Sequence, residues 1–169
     1  MTCKLSSYAG IGSRATPKEI ESEIIGIAKI LAMRNCTLRS GGADGADLMF
    51  EKGCRVIDER LMEIYLPWKG FNDNPSKLYL DNIDKDIVEK AREIARNFHP
   101  AWNRLSDAAK KLMTRNTFQI LGINLDNPVK FVICWTKDGK DSGGTGQAIR
   151  IARSRGIPVY NLNLNKYGL

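Results

Sequence analysis

The chain has 169 residues, of which 43% are hydrophobic, and a formal net charge of +7. This length suffices for one well-buried core and is short for two domains, so residues 1–169 are predicted to form a single domain. The sequence contains no apolar run long enough to span a membrane and no apolar stretch near its N-terminus, so we expect a cytoplasmic protein without a membrane segment.

The cysteine and histidine content argues against a metal site. Cys3, Cys36, Cys54 and Cys134 form no Cys-x-x-Cys pair, and His99 has no partner at ligand spacing. We therefore expect reduced thiols, no structural metal and no bound cofactor.

The positive charge is concentrated in one half of the chain. Residues 1–98 hold 15 Lys and Arg and 15 Asp and Glu, whereas residues 99–169 hold 11 and 4. A basic half suits an anionic partner, either a nucleotide or a nucleic acid backbone. A basic surface kept for solubility would give the same pattern.

The first predicted elements are a short strand, a glycine turn and a helix. Residues 6–9 form the strand, and Gly10-Ile11-Gly12-Ser13-Arg14 follows as a flexible turn, which we name the first glycine turn. Thr16 is the predicted N-cap, with a proline next to it and a glutamate three residues later. Apolar residues then recur at helical spacing as far as about Asn35, so one face of this helix can pack on a sheet.

The same pattern recurs in residues 36–56. Cys36-Thr37-Leu38-Arg39 is a predicted strand, and Ser40-Gly41-Gly42-Ala43-Asp44-Gly45-Ala46-Asp47, the second glycine turn, leads into a helix that ends near Val56. The glycines of this turn allow backbone to pass close to a ligand. Asp44 and Asp47 either cap the helix or bind a ribose hydroxyl or act as a base.

The middle of the chain predicts a third strand, a long loop and two helices. The strand covers residues 62–67 and ends at a proline. Residues 68–82 are polar and irregular, which is typical of a loop that closes over a site. A helix over residues 83–95 is followed by a break at 99–102.

A further helix is predicted from the cap Ser106 to Gly122. It carries Arg115 and Asn116, for which a solvated surface position is the alternative to a site.

The last predicted elements surround the most glycine-rich stretch of the chain. Residues 131–135 are an apolar run that predicts a buried strand, and Asp141-Ser142-Gly143-Gly144-Thr145-Gly146-Gln147 follows as the third glycine turn. A helix over 148–155 and a strand over 157–160 complete the chain. A strand, a glycine turn and a helix start bring N–H groups and the positive end of a helix dipole together, which suits a phosphate. Trp135, at the strand end, either stacks on a base or belongs to the core.

Strands that alternate with helices predict an α/β fold that is Rossmann-like, with a mostly parallel sheet and helices on both faces. Ligands in such folds bind beyond the carboxyl ends of the strands. All three glycine turns follow strands, so we expect them to share that edge of the sheet.

Four motifs in this order resemble those of the SLOG superfamily, which includes the DNA-processing protein A and Lonely Guy families, and most closely its small stand-alone members from bacteria and phages. Gly12-Ser13-Arg14 and residues 40–47 are similar to the first two turns of the DNA-processing group, and Arg115-Asn116 is similar to the Arg-Asn pair in its later helix. Residues 143–147 resemble the start of the Gly-Gly-x-Gly-Thr-x-x-Glu motif of Lonely Guy enzymes. The resemblance spans nearly the whole chain and implies a Rossmann-like domain that forms a homo-oligomer.

The departures from the Lonely Guy motif concern its chemistry. Those enzymes cleave the N-glycosidic bond of nucleoside monophosphates with a motif arginine and the final glutamate. Here Arg150 stands at the glutamate position, Gln147 at the threonine position, and Asn116 at the position of the lysine that follows the arginine. The resemblance therefore implies phosphate binding without the family's catalytic carboxylate.

The sequence thus predicts a protein that binds a nucleotide or nucleotide-derived ligand, such as a signal that it senses or sequesters. One alternative is an N-glycoside hydrolase or transferase acting on a nucleotide, in which Asp44 or Asp47 is the catalytic carboxylate. Another is a protein that binds single-stranded DNA. The candidate ligand-binding residues are Gly10, Gly12, Ser13, Arg14, Gly41, Gly42, Asp44, Arg115, Asn116, Gly143, Gly144, Thr145, Gly146 and Gln147.

Overall fold

A computed structural model describes residues 6–165. Its strands are β1 (Ser7–Gly12), β2 (Thr37–Ser40), β3 (Met62–Leu66), β4 (Leu78–Tyr79), β5 (Phe131–Trp135) and β6 (Val159–Asn161). They form one sheet in the order β4-β3-β2-β1-β5-β6, and every neighbouring pair is parallel. The predicted Rossmann-like α/β fold is confirmed. The strand order reverses between β1 and β5, which is the topological switch point where such sheets bind ligands.

Helices cover both faces of this sheet. They are α1 (Glu21–Met33), α2 (Ala46–Asp58), α3 (Lys85–Asn97), α4 (Asp107–Leu121), α5 (Gly143–Ser154) and the short α6 (Leu162–Asn165). Neighbouring strand residues point to opposite faces, so Tyr8 packs with α1 and α2 while Ala9 packs with α4 and α5. A third cluster, around Tyr65, joins β3 to α3 and α4. The core is therefore two apolar layers divided by the sheet.

The first glycine turn is mostly strand, whereas the sequence predicts a flexible turn. Gly10, Ile11 and Gly12 belong to β1. A Cβ on Gly10 would lie 2.6 Å from the ring of Phe50, and one on Gly12 would lie 2.6 Å from Cβ of Ala46. These glycines let α2 pack against the strand, so the prediction of a flexible turn is wrong at this point.

The predicted start of the first helix is also wrong. The Thr16 hydroxyl donates to the carbonyl of Ser13 at 2.6 Å, and it makes no capping bond to the helix. A single 3-10 turn, Lys18–Ile20, precedes α1. The buried Thr16 therefore closes the preceding turn. At the other end, α1 stops at Met33, and Asn35 has a φ of 59°, which places the helix end close to its predicted position.

Residues 68–82 are more regular than predicted. They contain two 3-10 turns, Phe71–Asp73 and Leu80–Asn82, and the two-residue strand β4 at the sheet edge. The buried side chain of Leu80 packs in the cluster around Tyr65. A strand of two residues is too short for its periodicity to be recognised in a sequence, so β4 was not predicted.

The two helices of the basic half begin differently. The start of α4 is confirmed, because the hydroxyl of Ser106 accepts the N–H of Ala109 at 3.2 Å, and Gly122, with a φ of 79°, follows its last residue. In contrast, α5 begins at Gly143 and not at residue 148 as predicted. The N–H of Gly146 donates to the carbonyl of Ser142 at 2.9 Å. The third glycine turn is therefore largely the first turn of a helix.

Three of the cysteines are free thiols, namely Cys36, Cys54 and Cys134, while Cys3 lies outside the described residues. Burial raises the pKa of Cys54 to about 11 and that of Cys134 to about 12, which makes these two thiols unreactive. Among residues 6–165, no helix combines the length and the apolar character needed to cross a membrane.

Candidate functional site

A cavity of about 500 Å³, the switch-point pocket, opens at the carboxyl edge of the sheet beside β1 and β5. The end of β1, the segment after β5, the N-terminal half of α4 and the first turn of α5 form its walls. The candidate residues that line it are Gly12, Ser13, Arg14, Asp47, Arg115, Asn116, Gly143, Gly144 and Thr145. Parts of all three glycine turns therefore meet at one pocket.

The first turn of α5 presents open backbone to this pocket. The hydrogen bonds found within residues 6–165 include no acceptor for the N–H groups of Gly143, Gly144 and Thr145. A Cβ on Gly143 would meet nothing within 4 Å, and one on Gly144 would meet only Cε of Met113, at 3.1 Å. Because α5 starts here, these N–H groups lie at the positive end of its dipole.

Three cationic side chains line the same pocket. Arg14 and Lys137 are exposed, whereas Arg115 is only 6% exposed. One Nη of Arg115 donates to the carbonyl of Gly41, Nε donates to the carbonyl of Leu112 at 3.3 Å, and the guanidinium lies 5.8 Å from the ring centre of Phe71. Burial lowers the pKa of Arg115 to about 10, so the group is charged at neutral pH. Its position is fixed by the protein before any ligand arrives.

Asp47 is the carboxylate of the pocket. Its side chain is buried and accepts the backbone N–H of Ala43 at 3.2 Å, while the backbone N–H groups of Gly41 and Gly12 favour its charged form. Burial raises the pKa of Asp47 to about 6, against the opposing effects of Arg115 and of these N–H groups. The carboxylate thus joins the start of α2 to the turn that follows β2.

Neither aspartate of the second glycine turn caps α2. The N-cap is Gly45, and no side chain bonds to the first N–H groups of the helix. Asp44 is exposed and does not line the pocket; its carboxylate accepts Nδ2 of Asn72 at 3.0 Å. The capping interpretation is therefore wrong, and the structure separates Asp44 from Asp47.

Asn116 links α4 to the first turn of α5. Its Nδ2 donates to the carbonyl of Gly144 at 3.0 Å and to Oε1 of Gln147 at 3.1 Å. Gln147 is fully buried, and its own Nε2 donates to the carbonyl of Ala95 at 3.2 Å. Asn116 therefore lines the pocket, whereas Gln147 supports it from behind.

Several other candidates lie outside the pocket. A Cβ on Gly41 would collide with the side chains of Arg115 and Gln119, and one on Gly146 would collide with the backbone of Asp141. The glycines that pack against protein and do not line the pocket are Gly10, Gly41, Gly42 and Gly146.

Trp135 and Arg150 also have structural surroundings. Trp135 is 5% exposed and belongs to the core layer with α1 and α2. Arg150 donates from Nε to the carbonyl of Phe98 at 3.0 Å and from Nη1 to the carbonyl of Asp141 at 3.1 Å. The arginine at the glutamate position therefore joins two loops and does not reach the pocket.

Some pocket residues were not among the candidates. Thr136 and Lys137 follow β5 directly, so the rule that ligands bind at carboxyl strand ends would have found them. Met113 and Gln119 line the wall formed by α4, and only the fold shows which face of that helix meets the pocket. No group of three or more His, Cys, Asp or Glu side chains able to hold a metal ion occurs in the part of the chain that the structure describes.

Comparisons with known proteins identify a shared fold but no family. No protein-family model matches the chain, and no curated protein matches it significantly. The chain is similar to the solved structure of DNA processing protein A from Helicobacter pylori, a protein described for its single-stranded DNA binding mode. The TM-score is 0.52 at 14% identity, and the match covers 92% of this chain and 64% of that one. At this identity the likeness shows a shared Rossmann-like α/β fold.

Proposed function

We propose that this protein is a SLOG-type domain that binds the phosphate group of a nucleotide or nucleotide-derived ligand in the switch-point pocket. The observation that supports this is the meeting of unpaired N–H groups at the start of α5 with the cations of Arg14, Arg115 and Lys137. N–H groups at a helix N-terminus and a fixed guanidinium both bind phosphate oxygens. Gly143 and Gly144 leave room for those oxygens to reach the backbone.

The rest of the pocket suits the remainder of a nucleotide. Its volume of about 500 Å³ lies in the usual range of small-molecule sites, roughly 300 to 1,000 Å³. Leu112 and Met113 supply an apolar wall from α4, and Asn116 supplies an amide beside it. A nucleotide could place its base against the apolar wall and its phosphate at the start of α5, and it would then contact both the apolar and the cationic parts of the pocket.

A matched pair of lysines tests the proposal. Lys137 lines the pocket, whereas Lys140, also exposed and three residues further along the same loop, does not. In titration calorimetry with nucleoside mono- and diphosphates, we expect at least one nucleotide to bind and the matching nucleoside to bind at least tenfold more weakly. Lys137→Gln should weaken nucleotide binding and Lys140→Gln should not. Equal affinity of nucleoside and nucleotide, or of both variants and wild type, would reject the pocket as a phosphate site.

We further propose that the site binds without cleaving. The carboxylate in the pocket, that of Asp47, is held by the backbone N–H of Ala43, and Arg150 lies elsewhere. Incubation with common nucleoside monophosphates should therefore release no free base by chromatography. Base release that disappears in Asp47→Asn and persists in Asp44→Asn would instead establish a nucleotide N-glycosidase, for which the raised pKa of Asp47 is the supporting feature.

Single-stranded DNA is the second candidate ligand. The fold is shared with a protein described as binding single-stranded DNA, and the excess positive charge lies in the half of the chain that carries α4 and α5. Contacts to a phosphate backbone release counterions, so the affinity should fall steeply as salt is added. Undetectable binding of oligonucleotides at low salt would leave the free nucleotide as the ligand.

A further inference from the structure

A second cavity lies outside the proposed phosphate site. It also measures about 500 Å³ and is formed by the end of α3 and the connection from α3 to α4, so we name it the α3–α4 pocket. Its lining includes the side chains of Arg96, Asn97, His99, Trp102, Asn103 and Arg104. Among residues 6–165, no Asp or Glu lines this pocket.

The polar groups of the α3–α4 pocket are mainly donors without partners. Arg96 and Arg104 are exposed, and their guanidinium groups take part in no hydrogen bond or ion pair within residues 6–165. Nδ1 of His99 accepts the N–H of Ala101 at 3.1 Å, which in the neutral ring leaves the proton on Nε2. Guanidinium groups, amides and an imidazole N–H together suit an anion with several oxygens.

The α3–α4 pocket lies at the same edge of the sheet as the switch-point pocket. Helices α3 and α4 are antiparallel neighbours. The Thr117 hydroxyl of α4 donates to the carbonyl of Ala91 in α3 at 3.1 Å. Ala95, one turn further along α3, is linked through Gln147 to Asn116, which lies nearer the start of α4. The connection between these helices therefore returns the chain to the carboxyl edge, where α4 starts.

One side chain joins the segments that lie beside the two pockets. Arg150 binds the carbonyl of Phe98, where the α3–α4 connection begins, and the carbonyl of Asp141, next to the pocket residue Ser142. Arg150 thus holds together the segments that lie beside the two cavities.

We propose that the α3–α4 pocket is a second phosphate site, and that the ligand which spans both pockets is a single-stranded oligonucleotide. This inference rests on the proposed phosphate site at the start of α5. One phosphate of the strand occupies the switch-point pocket, and a neighbouring phosphate binds Arg96, Arg104 and His99. A mononucleotide fills only the first pocket, so strand length determines affinity. Arg96 also lies in the last turn of α3, where a cation stabilises the helix dipole, whereas Arg104 lies outside the helix and has no such role.

The test compares two double variants that remove the same charge. Arg96→Gln/Arg104→Gln empties the α3–α4 pocket of its guanidinium groups. Arg34→Gln/Arg155→Gln removes two exposed arginines that follow α1 and α5, helices that run from the carboxyl edge to the opposite edge of the sheet. Binding of 5′-labelled (dT)8 is measured by fluorescence anisotropy, and binding of thymidine 5′-monophosphate by calorimetry.

We expect the first double variant to bind (dT)8 at least tenfold more weakly than wild type, while its affinity for thymidine 5′-monophosphate changes less than twofold. The slope of log K against log salt for (dT)8 should become shallower by about 0.7, the contribution of the one phosphate contact on a single strand that the variant loses. The control double variant should keep at least half of the wild-type affinity for (dT)8.

Equal losses of (dT)8 affinity in the two double variants would show that only the net charge of the protein matters, and this would overturn the inference. The inference is also overturned if wild type binds thymidine 5′-monophosphate as tightly as (dT)8. In that case the protein has the first phosphate site and no second one. Failure of wild type to bind (dT)8 or any of the nucleoside mono- and diphosphates would instead reject the proposed function itself, and the two failures are therefore distinguishable.

Discussion

The second and third glycine turns look alike in sequence and differ in what surrounds their glycines. In the second turn, the space beside Gly41 is filled by Arg115 and Gln119, and the space beside Gly45 is filled by the backbone of residues 13 and 14. In the third turn, the space beside Gly143 is open, and a single flexible methyl group faces Gly144. The second turn uses glycine for protein packing, whereas Gly143 and Gly144 of the third turn leave backbone accessible to a ligand.

A glycine-rich turn after a strand therefore marks a close approach of another group to the backbone, and it does not identify that group. In the second turn the approaching group is Arg115, whose guanidinium binds the Gly41 carbonyl and also lines the switch-point pocket. The second turn thus contributes to the site indirectly, by fixing a cation. In the third turn we propose that the approaching group is the phosphate.

The largest expected effect is on stability, at Gly45. Its φ of 78° and ψ of −128° are strained for other residues, and a Cβ there would strike the backbone carbonyl of Ser13. Gly45→Ala should therefore destabilise the protein by about 3 kcal/mol or more, as strain adds to collision. Urea unfolding measures this loss.

Gly156→Ala is the matched control for strain alone. Gly156 also has a positive φ, of 69°, but a Cβ there would meet nothing within 4 Å. We expect this variant to lose only about 1 kcal/mol. Similar losses in the two variants would show that packing around the second turn adds nothing to the effect of backbone strain.

The next effect is on binding, at Gly144 in the third turn. Gly144→Val should leave the stability within about 0.5 kcal/mol of wild type, because Met113 can move aside and valine suits a helix better than glycine. It should weaken nucleotide binding at least tenfold, about 1.4 kcal/mol, because the branched side chain occupies the phosphate position. Calorimetry and urea unfolding on the same variant separate the two readouts. A folded variant with unchanged affinity would contradict the distinction between the turns.

The sequence predicts the fold well because its signals are local and repeated. The buried strand at residues 131–135 and the cap at Ser106 agree with the structure, as does the order of strands and helices. Local patterns misjudge Thr16, because its hydroxyl bonds to Ser13 in a buried turn. They also miss β4, whose two residues depend on pairing with β3. The single-domain boundary and the homo-oligomer stay predictions.

The site was harder to predict, because its members depend on which side of each turn faces the cavity. Asp44 and Asp47 are equivalent by spacing, yet Asp47 lines the pocket and Asp44 bonds to Asn72. Gln147 belongs to a motif that resembles a phosphate loop, yet its side chain is buried in the core behind the pocket. The packing of α4 against α5 determines which side chains at the start of α5 face the pocket. No sequence motif encodes that packing.

A smaller effect on binding is expected from pH, through Asp47. Burial raises the pKa of Asp47 from 3.8 to about 6, so the protonated carboxyl is favoured in the folded state below pH 6. The stability that this preference contributes is complete below pH 4 and is lost as the pH rises through 6. An anionic ligand should likewise bind more tightly at pH 5 than at pH 8, by about fivefold, since a negative charge then leaves the pocket.

The probe for this pH effect must not titrate itself. The methyl ester of thymidine 5′-monophosphate keeps one negative charge over the range, and Arg115, whose pKa is about 10, stays charged. Glu51, near Asp47 and also with a pKa raised by burial, is the other carboxylate to consider. Asp47→Asn should abolish the pH dependence and Asp44→Asn should keep it. A dependence that survives in Asp47→Asn would assign the effect to Glu51.

The smallest expected effect is at Gly26 in the middle of α1, a glycine that serves neither packing nor a ligand in this structure. A Cβ there would meet nothing within 4 Å, so Gly26→Ala should stabilise an isolated chain by about 0.5 to 1 kcal/mol through helix propensity and leave nucleotide binding unchanged. Ile30 and Met33 of the same helix are 55% and 68% exposed. If the predicted homo-oligomer packs through α1, the added methyl group should instead weaken association, which light scattering over a range of concentrations would detect. Greater stability at unchanged mass would show that α1 faces solvent, and any oligomer would then use another surface.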